Sequence, residues 1–158
     1  LDTGGVGVCA TREGSYSRYN EGTAALCVEL AAQAVAGAAT NSVAIITPYV
    51  EQSRRIRKLL SDRRFDGVEC RTIHRFQGGE RDVVIFDAVD GAPLPPGKLL
   101  SGDGSTGDAA NLLNVSLSRA RGKLIVLADT QYFAASGRSA LISDLLRRIQ
   151  EYGLMVSV

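Results

Sequence analysis

Two short segments hold the residues whose types and spacing suit phosphate chemistry. Residues 72–82 read TIHRFQGGERD and run into the apolar VVIF, and residues 112–121 read LLNVSLSRAR. Gly78 and Gly79 have no Cβ, so the backbone there can approach a ligand closely, and Glu80 sets a carboxylate acceptor beside them. The second segment brings Arg119 and Arg121 to the end of a predicted helix, just ahead of a strand. A guanidinium is always charged and presents a planar fork of donors suited to phosphate oxygens. Thr47, Pro48 and Tyr49 end a predicted strand and open a helix. A strand-end hydroxyl and the N–H groups of a helix N-terminus are natural phosphate donors. The chain has no glycine-rich loop ending in Gly-Lys-Ser/Thr, so it owns only half of a nucleotide site.

The elements that must hold these residues alternate between apolar strands and helices. A short strand is predicted at 6–10 and a polar loop at 12–19. Asn20 is a good N-cap for a helix ending near residue 39. SVAIIT at 42–47 is a continuous apolar run, as expected of a strand covered on both faces. A helix over 50–64 sets Ile56, Leu59 and Leu60 against a row of arginines. Strands follow at 68–73, 82–89 and 123–128, with a helix over 108–119 between the last two. The Gly- and Pro-rich stretch 91–107 reads as a mobile loop, 139–152 as an amphipathic helix, and 154–158 as a last edge strand. Such alternation implies an α/β fold, a mainly parallel sheet flanked by helices, in which ligands gather at the carboxyl ends of the strands. Thr47, residues 72–80, residues 87–90 and Asp129 all fall near strand ends.

Composition bounds the rest. The 158 residues suffice for one domain with a real core. A net charge of +1 gives no overall argument for a polyanion partner. The arginines at 54, 55, 57, 63 and 64, with Lys58, crowd one predicted helix, where the plainest reading is a solvated face. Cys9, Cys27 and Cys70 are odd in number and far apart, and with the single His74 they make a poor metal site. Free thiols fit a reducing compartment, and a cytoplasmic location is expected. Glu29 and Gln33 interrupt the longest apolar stretch, which argues against a membrane span. The start at Leu1, without an initiator Met, suggests an excised or processed piece.

With these residues in hand, the chain resembles the second, carboxyl-terminal RecA-like domain of superfamily 1 helicases, especially the Upf-like subclass with its many bacterial members. The blocks that carry the resemblance are AIITPYVEQ at 44–52, TIHRFQGGERDVVIF at 72–86 and LLNVSLSRARGKLIVLAD at 112–129, in the family's order for motifs IV, V and VI. Upstream, Ser17-Arg18-Tyr19-Asn20 before a helix is similar to the family's Ser-x-x-Asn opening. The resemblance implies a RecA-like, P-loop NTPase-type, three-layer αβα domain spanning residues 1–158. It implies a partner in an amino-terminal RecA-like domain of the same polypeptide, which holds ATP and Mg²⁺. Arg119 then becomes the finger that reaches the transferred phosphoryl group, and Gly79 and Glu80 lie near the ribose and phosphates. Thr47, Tyr49, Thr72 and His74 face single-stranded DNA or RNA or the path coupling it to ATP. The plainer readings are a helix-end arginine for Arg119, a tight turn for the glycines, a surface carboxylate for Glu80 and a structural imidazole for His74.

Several positions depart from the family. Asn111 and Leu112 stand where many Upf-like members have paired arginines, Ser116 and Ser118 replace the common Ala and Thr, and the Gln-Tyr-Arg-Met segment and both Walker motifs are absent. The resemblance thus implies an ATP-dependent helicase or translocase whose isolated fragment is inactive. The alternative is a free-standing RecA-like module that binds nucleic acid or protein. A Rossmann-like small-molecule binder is disfavoured, because no Gly-x-Gly-x-x-Gly turn follows a strand.

Overall fold

The computed structural model describes residues 1–37, 42–76, 79–100, 111, 113–115, 117–135 and 140–158. A two-residue strand β1 (Ala10–Thr11) pairs antiparallel with β2 (Arg18–Tyr19), and α1 (Glu21–Gly37) follows. Next come β3 (Val43–Thr47), α2 (Val50–Asp62), β4 (Glu69–Thr72) and a 3-10 turn at Ile73–Arg75. The chain continues through β5 (Arg81–Asp87), β6 (Ala120–Leu127), α3 (Thr130–Ala135) and α4 (Ala140–Tyr152). The main sheet has the order β4-β3-β5-β6, and its three strand pairs are parallel.

Burial follows the two-residue period of a strand. Val43 and Ile45 of β3 join Ile85 of β5 in a core roofed by α1 and α2, through Ala24, Cys27, Val28, Ala31, Ile56 and Leu60. Ala44 and Ile46 point the other way, with Val84, Phe86 and Val126, into a core closed by Phe133 of α3 and by Ile142 and Leu146 of α4. The expected three-layer αβα arrangement is therefore present. The central strand β3, covered on both faces, must be apolar at consecutive positions, which is why its VAIIT is buried throughout, whereas the edge strand β4 alternates.

Some boundaries differ from expectation. The loop predicted at 12–19 contains β2, because backbone pairing with β1 needs no apolar signal. Strand β6 begins at Ala120, three residues earlier than predicted. Residues 118–119 form a turn ahead of it, so Arg121 lies on the strand. The predicted last strand at 154–158 is reduced to a single bridge between Asp2 and Ser157. Helix α3 had no sequence forecast at all. Gly78, Leu112, Ser116 and most of the predicted loop and helix between 101 and 112 lie outside the described residues. Cys9, Cys27 and Cys70 are buried free thiols, and no helix among the described residues is long and apolar enough to cross a membrane.

Candidate functional site

The topology separates the candidate residues onto two edges of one sheet. Thr47 and Thr72 end β3 and β4, and His74 sits in the 3-10 turn just beyond. Gly79 and Glu80 immediately precede β5, and Arg119 immediately precedes β6. Because the strands are parallel, these three occupy the amino edge. Thr72 and Glu80 both fall at strand ends, as expected, but at opposite edges of the sheet. The chain passes from the carboxyl edge at Thr72 to the amino edge at Gly79, as entry into another parallel strand requires. A seven-residue strand spans roughly 20 Å, so the two groups are separate sites on one rigid element.

At the amino edge the backbone joins the two motifs: the Arg81 N–H donates to the Arg119 carbonyl at 2.9 Å. Gly79 adopts φ 71°, a left-handed conformation that glycine takes without steric cost. A Cβ there would also come within 2.7 Å of Arg81 Nη1. Sequence reasoning passed over Arg81, whose Nη2 donates to Glu69 Oε2 at 2.6 Å and whose Nη1 donates to the Glu80 carbonyl at 3.0 Å. This side chain ties the Gly79–Glu80 turn to the start of β4. Arg121 contacts Asp82 at 2.7 Å and Glu80 at 3.9 Å. Arg119 differs from both neighbours. It is half-buried and, like Arg81, has an Nε buried without a hydrogen-bond partner, but unlike Arg81 and Arg121 it has no carboxylate among the described residues within ion-pair range. A guanidinium left with unmet donors at a rim beside a glycine turn is suited to an incoming anion.

The carboxyl edge is built differently. Strand order reverses between β3 and β5, the place where open α/β sheets have their crevice. Here that place is filled from within. Asp90, fully buried as a side chain, accepts from Tyr49 Oη at 2.6 Å, the Gly97 N–H at 2.7 Å and Arg18 Nη1 at 2.9 Å. The Arg18 guanidinium also lies over the Tyr49 ring at 5.7 Å. Burial beside Asp90 raises the Tyr49 hydroxyl far above the ordinary phenol range. Tyr49 thus spends its hydroxyl inside the protein. Val89, at φ 67°, is a β-branched residue in left-handed backbone, and the Asp90 N–H donates to the Ala88 carbonyl at 2.7 Å across it. Thr47 is fully buried, and its hydroxyl has no partner among the described residues. Thr72 is 7% exposed, whereas His74 is open to solvent.

Beneath that edge a second polar group ties three elements together. Gln52 is fully buried; its Nε2 donates to Asp87 Oδ2 at 2.6 Å and the Asn20 carbonyl at 3.0 Å, and its Oε1 accepts from the Asn20 N–H at 2.9 Å. Thr23 Oγ1 also donates to Asp87 Oδ2, at 3.1 Å, and Asn20 Oδ1 caps α1 by accepting the Thr23 N–H at 3.2 Å. Burial pushes the Asp87 carboxyl up to about 6, against these donors. The Ser-x-x-Asn segment therefore has a structural task at each position. Ser17 Oγ accepts the Glu51 N–H at the start of α2, Arg18 binds Asp90, Tyr19 stacks under Arg55 at 3.6 Å, and Asn20 caps α1. Ser17 thereby occupies one N–H of the helix end predicted to be a phosphate donor. Among the described residues no cluster of His, Cys, Asp and Glu is arranged to hold a metal ion.

Comparison with known proteins places this geometry in a family. The AAA domain model matches residues 5–131. The chain is 29% identical over 156 residues to rat DNA-binding protein SMUBP-2, covering 97% of this chain and 15% of that protein. It is 29% identical over 129 residues to DNA polymerase alpha-associated DNA helicase A of Saccharomyces cerevisiae, covering 80% of this chain and 18% of the relative. With the bovine DNA replication ATP-dependent helicase/nuclease DNA2 the identity is 32% over 95 residues, covering 58% and 8%. The chain spans less than a fifth of the length of each of these relatives. With a family match running through β1 to α3 over a parallel αβα sheet, the protein belongs to the AAA domain family.

Proposed function

We propose that this chain is the second motor lobe of an ATP-dependent nucleic acid helicase or translocase of superfamily 1. In this reading ATP and Mg²⁺ sit on another RecA-like lobe, and this chain closes over them with its amino edge. The observation that carries the proposal is Arg119, the one arginine of the three at that edge with no carboxylate partner among the described residues. Its Nε is already desolvated, so docking of a phosphate supplies a partner to a group that lacks one. As charge develops on the transferred phosphoryl group, such a guanidinium stabilises it without reorganising. Gly79 allows the backbone near the ribose and phosphates, Glu80 supplies an acceptor, and Arg81 keeps that turn in place. The helicase and DNA-binding names of the relatives support a nucleic acid partner. Thr72 and His74 are the carboxyl-edge candidates for contact with the strand. The buried Thr47 and the internally bonded Tyr49 serve that edge by shaping it.

The test is Arg119→Ala in the intact protein. An arginine finger is worth roughly 10³ to 10⁵ in rate, so strand-stimulated phosphate release should fall by at least about 10³ while ATP affinity stays within about tenfold. Turnover close to that of the unmodified protein removes the finger and with it the reading.

A further inference from the structure

We infer that the groove between α2 and β4 is a seat for backbone phosphates, extending the strand's track outward from Thr72 along the edge of the sheet. The inference rests on the proposed nucleic acid function and adds the place and residues of a contact. The narrow end of the groove encloses about 30 Å³ and is lined by Val50, Ser53 and Arg57 of α2, Cys70, Arg71 and Thr72 of β4, and Arg75 of the turn. Positions 50, 53 and 57 lie on one stripe of the helix, so α2 presents Arg57 toward β4 by its own periodicity. Past Arg57 and Arg71 the groove widens to about 390 Å³.

The charges on α2 do not all cancel. Arg54 pairs with Glu51, Arg55 with Glu21 and Arg63 with Glu29, as a solvated face would. Arg57 instead makes only an intrahelical bond, Nε to the Ser53 carbonyl at 3.3 Å, and it has no carboxylate in ion-pair range among the described residues. Arg75, exposed, likewise has no such partner among the described residues. Arg71 shares Glu69 with Arg81, two guanidiniums on one carboxylate. The only acidic side chains along the groove, Asp66 and Glu69, line its wide part, so positive charge concentrates at the Thr72 end. Burial drives the Cys70 thiol in the groove floor up to about 12, against the Ser53 hydrogen bond and then the fields of Arg57 and Arg71. The narrow end contains no aromatic side chain to anchor a peptide. A phosphodiester needs only cationic donors, and α2 and β4 supply them beside two strand-contact candidates.

The test measures binding of fluorescein-labelled oligo-dT and oligo-rU to the intact protein by anisotropy over a range of salt concentrations. Each phosphate contact contributes about 0.7 to the slope of log K against log salt on a single strand. The Arg57→Gln/Arg75→Gln variant should therefore have a slope shallower by about 1.4 and a weaker affinity at low salt. The charge-preserving Arg57→Lys/Arg75→Lys variant should keep the slope, and thermal melting of both variants separates lost contacts from lost folding. An unchanged slope in the Gln variant overturns the groove while leaving the Arg119 result intact. So does displacement of a labelled acidic peptide, rather than the oligonucleotide, by that substitution. Normal turnover by Arg119→Ala sinks the helicase reading without altering the slope, and absence of binding to either oligonucleotide sinks both.

Discussion

The lack of a carboxylate partner among the described residues distinguishes the arginine proposed to act from those that merely pair. Arg81 and Arg121 satisfy carboxylates at the same edge, and Arg119 does not. The same criterion predicts that Arg119→Lys recovers little of the turnover lost in Arg119→Ala. A lysine restores the charge but not the planar fork, so single-turnover ATP hydrolysis by the lysine variant should remain at least about tenfold below the unmodified protein. Thr47 presents the opposite situation. Its hydroxyl is buried and unpartnered, and a polar group buried without a hydrogen bond costs roughly 1–3 kcal/mol. Thr47→Val should therefore stabilise the fold by about 1 kcal/mol in urea unfolding, with strand affinity unchanged if the residue only shapes the edge. A loss of strand affinity in that variant returns Thr47 to the contact surface.

Elements are coupled here through buried polar groups more than through exposed ion pairs. Gln52 and Asp87 lock α2 to the end of β5 and, through Thr23 and Asn20, to the start of α1. The sign of the Asp87 effect is unusual for a carboxylate. Its folded value, near 6, lies above the ordinary 3.8, so the folded state holds a proton that the unfolded state releases first. Its contribution to stability is full below about pH 4 and is lost as pH rises through about 6, a change of about 3 kcal/mol. Asp87→Asn should remove that part of the pH dependence. Unfolding free energies from urea titrations at pH 5 and pH 7 should differ less in the variant than in the unmodified protein. Equal differences in both would mean that Asp87 is not protonated in the folded state. Within 17–20 the capping role of Asn20 was legible because its bond is local, but the tasks of Ser17, Arg18 and Tyr19 were not, because their partners lie more than thirty residues away.

At the scale of the whole molecule, the two-edge arrangement sets what the chain can do alone. One edge presents an unmatched guanidinium beside a glycine turn; the other closes its crevice with its own Tyr49, Asp90 and Arg18. In the proposed reading, such a lobe completes a site held on another lobe. The isolated 158-residue chain should release no phosphate from ATP above buffer, with or without oligonucleotide, in a phosphate-release assay. Measurable turnover by the isolated chain would show that it holds a nucleotide site of its own and would end the two-lobe reading.

Local pattern was enough for the strands β3 and β5, the helices α1, α2 and α4, and the layered α/β architecture. Each of these follows from apolar periodicity and caps read over a few residues. The neighbourhood of the glycine turn and Arg119 was also foreseeable from motif order. Which edge each motif occupies, the burial of Thr47, the internal bonding of the Tyr49 hydroxyl, the grip of Arg81 on the turn and the tasks of Gln52 and Arg18 were settled only by tertiary structure. The physical reason is common to all of them: a hydrogen bond or an ion pair is a relation between side chains distant in sequence, and the order of strands in a sheet decides which side chains meet.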